Sequence, residues 1–344
     1  MSKQVSDRRQ NSLNQLEMVF EDNRLLSQLY GEYDQNIALI EQRLQVKITP
    51  RGNHLMLEGS VGDIDQARRI LQSLYELLEE GKNVAIGDVD GIVRMVQTSD
   101  AQLSMSAMEG NARVRMSRIA TRKSTIVART PAQDSYMRSF GQNDLTFGIG
   151  PAGTGKTYLA VAHAASLLER GDINRIILSR PAVEAGERLG FLPGDMKDKV
   201  DPYLRPLYDA LYDMMFPENV ERSLTSGIIE IAPLAFMRGR TLANSVVILD
   251  EAQNTTSMQM KMFLTRMGEN SRMIVTGDPS QIDLPPGQIS GLVEAVSLLR
   301  GVEGINVSTF THEDVVRHPL VARIVRAYET AHEKNDNAKN DHVK

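Results

Sequence analysis

Beyond Thr130, short apolar runs recur along the chain, separated by stretches long enough to form helices. The runs are Leu145–Ile149, Ile176–Leu178, Ile228–Ile231, Val246–Leu249, Met273–Thr276 and Ile305–Val307. Each is apolar almost throughout rather than alternating, as strands buried on both faces are. Strands of this kind alternating with helices predict a parallel sheet covered on both sides, an α/β domain over residues 131–333. Its last helix is expected at Leu320–Glu333, and the mixed-charge residues 334–344 read as a disordered tail.

The first part of the chain has a different rhythm. Residues 1–15 are polar and read as loose. Asn23–Leu29 is expected to be helical, Gly31-Glu32-Tyr33-Asp34 to turn, and Ile37, Ile40 and Leu44 to line one side of a second helix. Val46-Lys47-Ile48 and Leu55-Met56-Leu57 alternate like two strands joined across Pro50-Arg51-Gly52-Asn53, and a helix follows from about Ile64 to Glu79. This order over residues 1–80 resembles a small α+β KH-type RNA-binding module. Such modules clamp the nucleic-acid backbone with a GXXG loop. Here Asp34 replaces the second glycine and Glu32 sits inside the turn, so two carboxylates would face a phosphodiester. An RNA reader and a docking domain both remain open. Residues 81–130 read as a linker with a short helix around Gly91–Gln97. Within it, Ile119–Thr121 and Thr125–Val127 flank Arg122-Lys123-Ser124 as a basic hairpin, with Arg113, Arg115, Arg118 and Arg129 close in sequence. The hairpin is read either as a phosphate-contacting RNA surface or as an ordinary solvated turn.

Composition narrows the class. Over 344 residues, 24% charged and 41% hydrophobic side chains are ordinary for a soluble globular protein, with length enough for two modest domains. The formal net charge of −5 means that any nucleic-acid surface must be local. No cysteine is present, which excludes disulfides, thiolate metal sites and thiol catalysis and fits a reducing compartment. The six histidines show no metal-ligand spacing. No apolar run approaches the ~20 residues that span a bilayer, so a cytoplasmic location without membrane contact is expected.

The candidate chemistry centres on Gly150-Pro151-Ala152-Gly153-Thr154-Gly155-Lys156-Thr157, which fits G-x-x-x-x-G-K-[ST] at every fixed position. An expected strand precedes it and an alanine-rich helical stretch follows. In that setting successive backbone N–H groups turn inward around phosphate oxygens, and the new helix adds its positive end. Lys156 supplies a point charge for the β- and γ-phosphates, and the Thr157 hydroxyl is placed to ligate Mg²⁺. A bound nucleoside triphosphate is the expectation.

Val246-Val247-Ile248-Leu249-Asp250-Glu251 reads as the matching Walker B strand, with Asp250 beside the Mg²⁺ and Glu251 as the general base for water. Gly277-Asp278-Pro279-Ser280-Gln281 resembles helicase motif III, where Gln281 would sense the γ-phosphate or the attacking water. Gln133, in Thr130-Pro131-Ala132-Gln133, resembles the glutamine by which superfamily 1 helicases hold adenine, which favours ATP. The stretch Leu178–Asp195 corresponds to a helicase region that meets nucleic acid. Arg317 and Arg240 are the candidates for an arginine finger, supplied in cis or in trans.

Together these residues resemble the PhoH family. The likeness rests on Gly150–Thr157, Arg180–Glu187, Asp201–Asp209, Phe236–Leu242, Leu249–Asn254 and Asp314–Pro319. With the KH-like region in front, the chain is similar to the shorter members of the YbeZ type. The resemblance implies a RecA-like P-loop NTPase equivalent to half of a superfamily 1 helicase, using ATP and Mg²⁺. It also implies RNA as substrate class and a YbeY-type endoribonuclease as partner in bacterial RNA or ribosome metabolism. Too little chain follows Val307 for a second RecA-like domain, so a ring-like homo-oligomer, a hexamer, is expected to complete the site. An RNA-stimulated ATPase or helicase competes with an ATP-dependent adaptor that docks a nuclease without unwinding. A kinase ranks third, for want of an acceptor pocket.

Overall fold

The computed structural model describes residues 14–79, 81, 83–103, 116–181 and 196–316. The chain divides into two compact units, Met1–Met116 with Val127–Pro131, and Ser117–Ile126 with Ala132–Lys344.

The first unit runs β1 (Asn14–Val19), α1 (Asn23–Tyr30), α2 (Gln35–Leu44), β2 (Lys47–Arg51), β3 (His54–Gly59), α3 (Val61–Glu79) and α4 (Ile86–Leu103). Its antiparallel sheet has the order β1-β3-β2. Leu29, Ile40, Leu55, Leu57, Ile70, Leu71 and Leu74 are fully buried between sheet and helices. Asp22 starts α1 by accepting the Arg24 N–H at 2.9 Å. The KH-like order therefore holds, with two corrections. Asn14 and Gln15 are not loose: they open β1, which pairs along the whole of β3. The helix expected at Gly91–Gln97 extends over Ile86–Leu103, with Val89, Ile92, Val93 and Val96 buried at helical spacing. In the turn before α2, Tyr33 and Asp34 both adopt left-handed backbone angles, and the Tyr33 ring is fully exposed.

The second unit begins with the hairpin β4 (Arg118–Ala120) and β5 (Thr125–Val127). Then follow α5 (Pro131–Ser139), β6 (Leu145–Ile149), α6 (Lys156–Arg170), β7 (Arg175–Arg180), α7 (Met196–Met214), α8 (Pro217–Thr225) and β8 (Ile229–Pro233). The unit continues with β9 (Ser245–Leu249), α9 (Ser257–Leu264), β10 (Arg272–Gly277), α10 (Gly291–Leu299) and β11 (Ile305–Thr309). The hairpin is tied down locally: the Arg122 N–H donates to Glu169 at 2.7 Å, and the Lys123 ammonium caps the Tyr212 carbonyl near the end of α7. Among the described residues, β6 to β11 form one parallel sheet in the order β11-β6-β10-β9-β7-β8. Leu145, Phe147, Ile149, Val247, Leu249, Met273 and Val275 project to one face, where they pack with Met260 and Phe263 of α9 and Leu292 of α10. Alternation sends the intervening residues to the face covered by α6. Among the described residues no helix is long and apolar enough to cross a membrane.

One core group carries a pH dependence. His163 of α6 stacks on Phe140 with ring centroids 4.8 Å apart. Burial, followed by the charges of Arg272 and Arg170, pushes its pKa from 6.5 down to about 3. The folded state thus holds the imidazole neutral. Its share of stability is complete above pH 6.5 and is lost as pH falls toward 3. We expect His163→Phe, which keeps the stacking, to lessen the loss of unfolding free energy between pH 7 and pH 4 by about 2–3 kcal/mol, read from urea melts.

Candidate active site

The site lies where the strand ends coincide. Gly277 is in register with Ile149, and Val275 with Leu249, so Gly150, Asp250 and Asp278 emerge on the same edge of the sheet. The loop between β6 and α6 needs its glycines. Gly150 has φ +143, and a Cβ there would lie 2.3 Å from the Phe310 carbonyl oxygen. Gly155 caps α6 in the left-handed region, a conformation costly for other residues. The Lys156 ammonium, almost buried, donates to the carbonyls of Gly150 at 2.6 Å and Pro151 at 2.8 Å. The Thr154 hydroxyl donates to Pro151 at 3.0 Å.

Opposite the loop, Asp250 accepts two hydroxyls on one oxygen, from Thr157 at 2.6 Å and from Thr276 at 2.8 Å. Next to it Glu251 stands in the left-handed region, with φ 51 and ψ 39. Its Oε2 accepts from Gln253 Nε2 at 2.6 Å, and Arg180 approaches Glu251 Oε1 at 3.7 Å and Asp250 Oδ2 at 3.9 Å. Gln281 donates to Asp278 at 2.9 Å. These groups enclose a cavity of ≈ 210 Å³ whose lining includes Lys156, Thr157, Tyr158, Asp250, Glu251 and Gln281. Its lip of backbone, hydroxyls and one ammonium suits phosphate oxygens. Thr157 and Asp250 offer hard oxygen ligands, and among the described residues no cluster of three His, Cys, Asp or Glu makes a dedicated metal cage. That donor set fits Mg²⁺, which takes few protein ligands and shares the rest with phosphates and water.

A family model described as "PhoH-like protein" matches residues 125–329, spanning both strand ends and the loop between them. The chain belongs to the PhoH-like protein family. It is 51% identical over 301 residues to a PhoH-like protein of Bacillus subtilis (strain 168), covering 88% of this chain and 93% of that one. Its identity to a PhoH-like protein of Mycobacterium tuberculosis (strain ATCC 25618 / H37Rv) is 48%, with 87% and 84% covered. Protein PhoH of Escherichia coli (strain K12) is 46% identical over 227 residues, 65% of this chain and 64% of that protein. Among solved structures, the Sulfolobus solfataricus SWI2/SNF2 ATPase core in complex with dsDNA aligns over 57% of this chain and 47% of that one, with 14% identity and a TM-score of 0.34.

Two of the residues singled out from the sequence of this PhoH-like chain lie elsewhere than expected. Gln133, within α5, is 4% exposed and donates Nε2 to the Thr154 carbonyl at 2.9 Å. It braces the phosphate loop from behind, and so offers no open amide edge to an adenine. Arg240 forms a two-point ion pair with Glu230, at 2.6 and 2.7 Å, and borders a cavity with Arg175, the first residue of β7. In a parallel sheet that is the end opposite the phosphate loop, so Arg240 does not reach its own site. Arg317 lies outside the described residues, as does most of the stretch Leu178–Asp195; the chain just before Arg317 is anchored by the Val316 N–H donating to the Gly153 carbonyl at 3.0 Å. Three residues at the site had not been picked out as site residues from the sequence. Thr276 was legible as a polar residue closing a buried strand. Arg180 and Gln253 stood within stretches quoted for the family likeness, but the contacts of Arg180 with Asp250 and Glu251, and of Gln253 with Asp278 and Gln281, span residues distant in sequence.

Proposed function

We propose that this chain hydrolyses ATP with Mg²⁺, as an RNA-stimulated ATPase or helicase in bacterial RNA or ribosome metabolism. The observation that carries the hydrolytic part is the convergence of Lys156, Thr157, Asp250 and Glu251 on one cavity. Lys156 and the loop backbone bind the β- and γ-phosphates. Thr157 and Asp250 would hold Mg²⁺, which when bound neutralises charge on the phosphate oxygens. Glu251 accepts a proton from water as the water oxygen bonds to the γ-phosphorus. The bond from that phosphorus to the β,γ-bridging oxygen breaks, and its electron pair leaves with ADP. Support for RNA comes from the KH-like order of the first unit and the exposed Arg118 and Arg122 of the hairpin.

One observation favours the adaptor reading, in which nucleotide state controls docking of a YbeY-type endoribonuclease or a ribosomal partner. The turn Gly31–Asp34 presents Glu32 and Asp34 where a KH module would grip phosphate. Turnover measured with and without RNA, on wild type and Glu251→Gln, separates the two. RNA-stimulated turnover that the substitution removes supports the first reading. Slow, RNA-insensitive turnover with nucleotide-dependent capture of the nuclease supports the second. The proposal extends to a ring-like homo-oligomer, a hexamer, in which a neighbouring copy supplies the arginine. Light scattering with ATP is expected to give that assembly; a monomer at full turnover overturns it.

A further inference from the structure

Gln253 is buried beside the site, 1% exposed, and every polar atom of its amide is engaged. One N–H reaches Glu251 Oε2 at 2.6 Å and the other the Gln281 carbonyl at 3.1 Å, while Oε1 accepts the Asp278 N–H at 3.0 Å. The reverse orientation of the amide would set oxygen against two acceptors, so only one orientation satisfies the network. Its neighbours make room for it. A Cβ at Gly277 would stand 2.5 Å from Leu292 Cδ2 and 2.8 Å from Gln253 Oε1, so both neighbours crowd the end of β10 even though its backbone does not demand a glycine. Asp278, fixed by this amide, in turn accepts from Ser280 and from the Gln281 side chain. Glu251 itself is held in the left-handed region, a position that persists only where its surroundings enforce it.

We propose that Gln253 is a positioning residue that locks the carboxylate of Glu251 in register with the Asp278–Gln281 turn. The proton acceptor and the turn beside the γ-phosphate then move as one piece. The inference rests on the hydrolytic reading above, and its test keeps the two apart.

In the full-length protein, Gln253→Glu keeps the size of the side chain but points an oxygen at Glu251 and at the Gln281 carbonyl. We expect kcat for ATP to fall about 30- to 100-fold, as misplacement of a reacting group does. KM and the affinity for a fluorescent ATP analogue should stay within about threefold, because the phosphate loop is untouched. A side chain needed only for packing would not separate kcat from KM in this way. Should Gln253→Glu fail to fold in a thermal melt, Gln253→Met, of similar length and without hydrogen bonds, decides by the same kcat-against-KM split. Retention of wild-type kcat by the folded variants, while Glu251→Gln is inactive, overturns the positioning role and leaves hydrolysis standing. Wild-type turnover in Glu251→Gln shows that water is activated elsewhere, and overturns the role of Gln253 with it.

Discussion

Lys156→Ala is expected to lower kcat/KM for ATP by at least about 10³ and to weaken binding of the triphosphate, because it deletes the one ammonium placed in the phosphate loop. Lys156 is 8% exposed, and its ammonium is bonded to two loop carbonyls, at 2.6 and 2.8 Å. Removing it also strips a partner from the Gly150 carbonyl, at about 1–3 kcal/mol for a buried polar group left unsatisfied, while the Pro151 carbonyl keeps the Thr154 hydroxyl. Calorimetric titration with ATP measures the first effect and the thermal midpoint the second. Ordinary affinity and turnover in this variant would remove the basis for a triphosphate site.

Glu251→Gln is expected to separate binding from chemistry. The substitution is isosteric, and a glutamine oxygen still accepts from Gln253 Nε2, so that hydrogen bond survives while the ion pair with Arg180 is lost. Thr157 and Asp250 are unchanged, and ATP affinity should stay within about twofold while kcat falls about 10²- to 10⁴-fold, as loss of a general base does. Single-turnover kinetics at saturating ATP read this directly. Unaltered turnover would show that water is activated elsewhere.

Much of the fold was legible because independent signals agreed. The β6 strand, the glycine loop and α6 each had their own pattern, and the motif fixed their order. What escaped notice was stabilised by something no local pattern records. Among the residues of β1 only Met18 is buried, so the strand is held by backbone pairing to β3 rather than by an apolar face. Arg240 carried the right chemistry for a finger, yet chain order does not say at which end of a sheet a guanidinium will stand. Gln133 had a suggestive neighbourhood in sequence and a buried one in space. The Thr157–Asp250 pair was anticipated because each belongs to a motif. Gln253 became visible only once β9 and β10 lay side by side.

The path of the backbone has a practical consequence for dividing the molecule. Val127–Pro131 belongs with the first unit although ten residues of the second precede it. Within that short return, Arg129 pairs with Asp88 at 3.0 Å, and its backbone lies so close to α4 that a Cβ at Gly91 would meet the Arg129 carbonyl at 2.7 Å. A truncated N-terminal piece ending at Met116 would leave α4 with a bare glycine notch and an acid stripped of its counter-charge. A piece carried through Pro131 would keep both, at the expense of an orphaned hairpin dangling from its tail.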